Sequence, residues 1–303
     1  MTVPSSYHVY NAFPSPTDDR FKGNPAAVIV LPDSDQTGEV LDDVLDVFPP
    51  ASELQATAVK INLPMTAYIV PLASPAQSPK FALRWFNIAH EAPACGHATN
   101  ASVTHIFNSE RWKDVPQIEL LSRNGVIIAR RGDEGRVTFR FPAHLGLVEQ
   151  NKQEAEEIVG KFAKAITKGS LGHVERVLRS DVFTVIQFSK DDKIGFEDLQ
   201  LDLQELSKQL SPRSVLLTQD LGDNEITARA ISTAGFIAED AATGSAHCAL
   251  VPLHTRGKTG KQAVRSQQLS ERGGLLFFEY TPGEPYVYIQ GHTEDVGPRE
   301  WSA

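Results

Sequence analysis

Ala238-Glu239-Asp240-Ala241-Ala242-Thr243-Gly244-Ser245-Ala246 sets two carboxylates directly ahead of a run of tiny residues, and an apolar segment from Cys248 to Leu253 follows. A helix N-terminus that holds an anion needs this order. Small residues let a ligand approach the backbone, and Gly244 relaxes the turn. The first N–H groups stand without intrahelical partners at the positive end of the helix dipole. Acids beside such a turn can move protons, because burial and neighbouring groups shift their ionisation. Taken alone, the stretch reads equally well as a capped helix start with solvated acids.

A second stretch of the same kind weighs against that plainer reading. Cys95-Gly96-His97-Ala98-Thr99-Asn100-Ala101-Ser102 again places Gly and small polar residues ahead of an apolar run, here Val103, Ile106 and Phe107. The two segments predict two similar halves, each supplying a helix N-terminus to one cleft. A planar carboxylate or a dienolate would fit there, with donors on both sides.

Composition bounds the remaining classes. A chain of 303 residues is long for one compact domain, so two are expected. Hydrophobic content of 41% and charged content of 22% are ordinary for a soluble globular protein. A net charge of −9, without a basic stripe interleaved with aromatics, argues against a nucleic-acid partner. Two cysteines, Cys95 and Cys248, are too few for a disulfide framework and suit a reducing, cytoplasmic setting. Met1 to Pro16 lacks the pattern of a signal peptide, and no apolar run is long enough to span a membrane.

Periodicity predicts an α+β chain. Strands are expected at Tyr7–Ala12, Ala26–Leu31 after the Gly23-Asn24-Pro25 turn, Ala67–Leu72, Phe81–Phe86, Ile118–Leu121, Gly125–Ala129 and Val137–Phe141. Further strands are expected at Asp181–Phe188, Ser214–Thr218, Glu225–Ile231, Leu275–Tyr280 and Tyr286–Ile289. Helical spacing marks Val40–Phe48, Leu54–Ile61, Gly96–Phe107, Gln153–Ile166, Leu199–Leu210 and the segment after Gly244. The suggested division is residues 1–117, completed by 286–303, and residues 118–285.

Three segments, read in order, carry a family resemblance. They are Gly23-Asn24-Pro25-Ala26-Ala27-Val28, then Arg84-Trp85-Phe86 leading through Glu91 into Cys95-Gly96-His97-Ala98-Thr99, and Glu239-Asp240 leading into Ala242-Thr243-Gly244-Ser245-Ala246. Their order and spacing resemble the phenazine-biosynthesis PhzF-like family, from about Tyr7 to Gly291. The resemblance implies a diaminopimelate epimerase-like fold: two similar domains, each a curved sheet wrapped around a central helix, with the active site in the cleft between them. It further implies a homodimer that isomerises or epimerises small acids without a metal or organic cofactor. His97, Asp240 and Ser245 fall on the family's pocket-lining positions. Gly96 and Gly244 would lend backbone N–H groups to a substrate oxygen, and Thr243 and Glu239 would flank it.

One departure stands out. The family's acid/base glutamate lies in a segment resembling Asn-Leu-Ser-Glu-Thr, and here that segment reads Asn62-Leu63-Pro64-Met65-Thr66. A thioether has no proton to give and is a weak acceptor. General acid–base catalysis typically supplies ~10²–10⁴ in rate, so this exchange is expected to change the chemistry. Met65 then reads as an apolar pocket wall suited to an aromatic or polyene substrate. Asn87-Ile88 and Ala241 depart from the family pattern in smaller ways.

Each residue also has a plainer reading: His97 as a capping or core histidine, Asp240 as a helix cap, Ser245 as a first-turn residue. His90, Glu91, Cys95 and His97 match no standard zinc-ligand spacing, so no metal is expected. Cys95 has no second thiol placed to oppose it as in a two-base racemase, Cys248 reads as core, and His247 as helix surface. The resulting expectation is a cofactor-independent isomerase- or cyclase-type enzyme of specialised metabolism acting on a small conjugated carbonyl or carboxylic acid. A retired relative that binds a small molecule or a protein is the alternative.

Overall fold

The computed structural model describes residues 3–38, 46–191, 199–210, 214–232 and 239–301. The chain forms two compact units, Met1–Phe141 with Tyr288–Ala303, and Pro142–Val287. In chain order the first unit contains β1 (Ser6–Ala12), β2 (Asn24–Val30), α1 (Ala51–Ile61), β3 (Met65–Pro71), β4 (Lys80–Phe86), β5 (Glu91–Ala92), α2 (Gly96–Asn108), β6 (Gln117–Ser122), β7 (Gly125–Arg131) and β8 (Val137–Pro142). The second contains β9 (Val148–Glu149), α3 (Lys152–Ala163), β10 (Ile166–Lys168), β11 (Val174–Arg179), β12 (Phe183–Phe188), β13 (Gln200–Leu201), α4 (Leu203–Leu210), β14 (Ser214–Gly222), β15 (Glu225–Ile231), β16 (Glu239–Asp240), α5 (Gly244–His254), β17 (Gln262–Gln268) and β18 (Gly274–Tyr280). After β19 (Tyr286–Gly291), β20 (Thr293–Glu300) pairs antiparallel with β1.

The two units repeat one plan. In the first, the pairings β1/β2, β2/β3, β3/β4, β4/β6 and β6/β7 run antiparallel, parallel, antiparallel, parallel, antiparallel. In the second, β11/β12, β12/β14, β14/β15, β15/β17 and β17/β18 follow the same alternation. The short strands β5 and β16 hang antiparallel on β4 and β15 at matching places, and each leads into a helix, α2 or α5. These are the two similar α+β halves expected from the paired motifs.

Helix α2 is the axis of the first unit. It packs against β1, β2, β3, β7 and β20, and every residue from Gly96 to Val103 is buried. Such a helix cannot show a polar face to water, so its polar side chains bond locally. Thr99 Oγ1 donates to Cys95 O (2.6 Å) and Ser102 Oγ to Ala98 O (2.7 Å), while Asn100 Oδ1 accepts from Thr293 Oγ1 (2.5 Å). Helix α1 covers the other face of the sheet. It starts after Pro49-Pro50, buries Leu54, Ala58 and Ile61 at helical spacing, and ends on Asn62 in the left-handed region, φ 54°.

Helix α5 is the corresponding axis of the second unit and is buried over most of its length. Its Pro252 has no N–H to give the Cys248 carbonyl, and the backbone N–H of His144 fills that place at 2.8 Å.

Several expected boundaries move for identifiable reasons. The first unit continues past residue 117 to Phe141, because β6 pairs with β4 and β7 and β8 follow in the same sheet. Helix α3 stops at Ala163, before Ile166, because Ile166–Lys168 pairs with Gln200–Leu201. That pairing also delays α4, which starts after Asp202, whose carboxylate accepts from the N–H groups of Gln204 and Glu205. Most of the expected helix at Val40–Phe48 lies outside the described residues, as does Ala238.

Candidate functional site

In the first unit the residues converge on the start of α2. Cys95 is the N-cap, its sulfur accepting from the backbone N–H of Ala98 at 3.4 Å. Gly96 and His97 follow, both buried. The His97 ring lies 3.1 Å from Asn24 Nδ2 through Nδ1, with the Cys95 sulfur 3.4 Å from the same nitrogen. Met65 opens β3 opposite Ala26, two residues along β2 from Asn24. Paired residues share a sheet face and alternate residues return to it, so Met65 stands on the face that carries the Asn24–His97 contact. Trp85, paired with Ala67 on that same face, holds a buried indole N–H without a hydrogen-bond partner.

In the second unit the residues converge on the start of α5. The Thr243 hydroxyl does not cap the helix but donates to Asp240 Oδ2 at 2.7 Å. Gln268 holds this turn from β17. It accepts from Thr243 N (2.7 Å) and donates to Asp240 O (2.7 Å) and to Thr243 Oγ1 (3.0 Å). Ser245 is a half-buried residue of the first turn, and Gly244 is buried. A Cβ on Gly274 would fall 2.4 Å from that of Ala242, so β18 can approach the turn only with glycine there.

Both helix starts are braced by an identical clamp. Arg84 of β4 donates Nε and Nη2 to the two carboxylate oxygens of Glu91 in β5, each at 2.8 Å. Arg229 of β15 does the same to Glu239 in β16, at 2.6 and 2.7 Å. Each glutamate precedes its helix-start glycine, Gly96 or Gly244, by five positions. Burial pushes the Glu91 carboxyl up, but the hydrogen bonds and charge of Arg84, aided by Arg123, outweigh it and hold the group below the ordinary carboxylate value. Both Glu239 oxygens meet Arg229, so this residue, expected at the substrate, braces the turn that presents Asp240.

His247 is fully buried rather than on the helix surface. Its Nδ1 donates to Thr243 O (2.8 Å), its Nε2 accepts from Ser266 Oγ (2.7 Å), and its ring stacks on Phe278. Burial lowers its pKa from 6.5 to about 4, opposed in part by the bond to Thr243. The folded state keeps this ring neutral while the unfolded chain protonates below 6.5. Its contribution to stability is therefore complete above about 6.5 and is lost as pH falls towards about 4. His105 and His254 act in the same direction. Urea midpoints measured across that range should fall, and His247→Gln should make the decline shallower; an unchanged slope would show that His247 does not contribute.

Among the described residues no group of three or more His, Cys, Asp and Glu side chains is placed to hold a metal ion. Glu91 is held by Arg84, and His90 lies against Asn87. Neither cysteine is in a disulfide, and both are buried. Cys95 and Thr243 occupy equivalent N-cap places, so the counterpart of the thiol is a hydroxyl rather than a second thiol. Cys248 packs inside α5, where burial pushes its thiol up to about 12. No helix among the described residues is long and apolar enough to cross a membrane.

Sequence reasoning missed Gln268, Ser266, Arg229 and the contact made by Asn24. The inward positions of β17 are Val264, Ser266 and Gln268, so its buried face reads as polar and hides the period-2 signal. Asn24 acts on His97 across 73 positions, and Arg229 meets Glu239 only once β15 and β16 pair.

The chain belongs to the phenazine biosynthesis-like protein family, whose model matches residues 10–296. It is 29% identical to an uncharacterized isomerase of Halalkalibacterium halodurans, over 91% of this chain and 90% of that one. It is 30% identical to a human phenazine biosynthesis-like domain-containing protein, over 86% and 88% respectively. A crystal structure of a PhzF-family protein from Enterococcus faecalis shares the fold, with a TM-score of 0.72, 24% identity and complete coverage of both chains. The architecture is of the diaminopimelate epimerase type, two α+β units built on central helices.

Proposed function

We propose that the protein is an isomerase-type enzyme that rearranges a small conjugated carbonyl compound or carboxylic acid of specialised metabolism. His97, Asp240 and Ser245 would contact the reacting part of the substrate, and the N–H groups at Gly96 and Gly244 would receive its oxygens. Thr243 would orient Asp240, and Met65 would form an apolar wall. The observation that carries this reading is the retained polar set: His97 on Asn24 at one helix start, and Asp240 on Thr243 and Gln268 at the other. Isomerase naming among the relatives supports it.

With Met65 at the glutamate's place, the reaction is one that needs little proton transfer. A cyclisation or pericyclic rearrangement fits, accelerated by holding a reactive conformer and polarising a carbonyl. The competing reading, a binding protein without turnover, is favoured by Met65 alone.

The test starts from the metabolite that accumulates when the gene is deleted, incubated with purified protein. His97→Ala and Asp240→Ala should each lower turnover by about 10²–10³, the usual effect of removing one preorganised polar group. The double variant should lose less than the product of the two if both residues serve the same substrate. Full turnover by both single variants would reject these roles. Tight binding of the metabolite without conversion would support the competing reading.

A further inference from the structure

We propose that Asn24 is a positioning residue that fixes His97 in the neutral tautomer with its proton on Nε2, so that His97 acts as a hydrogen-bond donor and not as a base. The role towards substrate rests on the reading above; the tautomer assignment does not.

The contact is built from the sequence upward. Gly23 has φ +73°, and a Cβ there would lie 2.5 Å from Ala12 O and 2.8 Å from Pro14 N, so only glycine fits this turn. The turn delivers Asn24 to the first position of β2, opposite Ala12 and 1% exposed. Its Nδ2 lies 3.1 Å from His97 Nδ1. An amide nitrogen only donates, so Nδ1 must offer its lone pair, and a neutral imidazole then carries its proton on Nε2. The Cys95 sulfur lies 3.4 and 3.8 Å from the two ring nitrogens. It rests against the imidazole while accepting from Ala98 N, which limits ring rotation.

The consequence concerns substrate class. An Nε2–H donor recognises an acceptor oxygen, such as a carbonyl, carboxylate or enolate, and would not serve a substrate that presents an ammonium at this point. A preorganised neutral donor stabilises charge developing on that oxygen without a proton changing hands. That matches a site with methionine where the family's acid stands.

The test reads the tautomer directly. Protein labelled with 15N-histidine, ligand-free near neutral pH, is examined by long-range 1H–15N correlation, with His97 assigned from the signal lost in His97→Gln. The expected result is an unprotonated, pyridine-type Nδ1 and a protonated, pyrrole-type Nε2. In Asn24→Asp the carboxylate can only accept, so the pattern should reverse and turnover should fall at least ~10²-fold, since a wrong tautomer has cost up to about 10⁴ in another enzyme. A pyrrole-type Nδ1 in the wild type would overturn the proposal, because it would mean that the amide oxygen faces the ring. The expected tautomer with unchanged turnover in Asn24→Asp would uphold the assignment and reject the catalytic role of His97.

Discussion

Replacing Arg229 with methionine is expected to lower the stability of the second unit by about 3–5 kcal/mol, the range for removing one partner of a buried ion pair. Arg229 is 7% exposed, meets both Glu239 oxygens and also donates Nη1 to Leu199 O at 2.6 Å. Without it a largely buried carboxylate and a backbone carbonyl lose their partner together. The replacement of both residues, Arg229→Met with Glu239→Leu, should recover much of the loss, because an apolar pair leaves no buried charge. Chemical denaturation of the single and double variants separates the terms. Equal loss in both would show that Arg229 acts by packing instead. Since β16 leads directly into the Asp240–Thr243 turn, the single variant should also lose turnover through misplacement of Asp240.

The second large effect is expected from Met65→Glu. The side chain stands on the sheet face beside Ala26 and Ala67 and is 8% exposed, so an added carboxyl should destabilise the first unit by about 1–3 kcal/mol. In return it restores a group that can take and return a proton close to the Asn24–His97 contact. Solvent deuterium uptake by a dienoic acid should rise by ~10²–10⁴ over the wild type, the range for general acid–base catalysis. No uptake by the folded variant would mean that the remaining groups no longer hold such a substrate in register with residue 65.

Much of this was legible in the chain. The two small-residue motifs gave the helix starts, because Gly, Ser and Thr ahead of an apolar run leave little other reading. Strands with apolar inward positions, such as β3 and β15, were equally plain. The strands that stayed hidden have other reasons. β17 buries Ser266 and Gln268 where a strand normally buries valine, and β20 is almost wholly exposed polar sequence held by its ladder to β1. His247 looked like surface because its neutral burial depends on Ser266 and Phe278, partners that only the tertiary fold supplies. Glu239 looked like a ligand acid for the same reason: Arg229, ten positions earlier, reaches it only after β15 and β16 pair. Met65 differs from all of these, since its meaning came from the resemblance and its place beside Asn24 from the register of β2 and β3.

On the proposed reading, this scaffold polarises its substrate and does not depend on a proton shuttle by an acid at residue 65. The most direct measurement is the deuterium content of product formed in D2O by the wild type and by Met65→Glu from the metabolite that accumulates in the deletion strain. Product free of solvent deuterium at carbon is expected from the wild type, and incorporation only from Met65→Glu. Full incorporation at carbon by the wild type, at the rate of turnover, would contradict it.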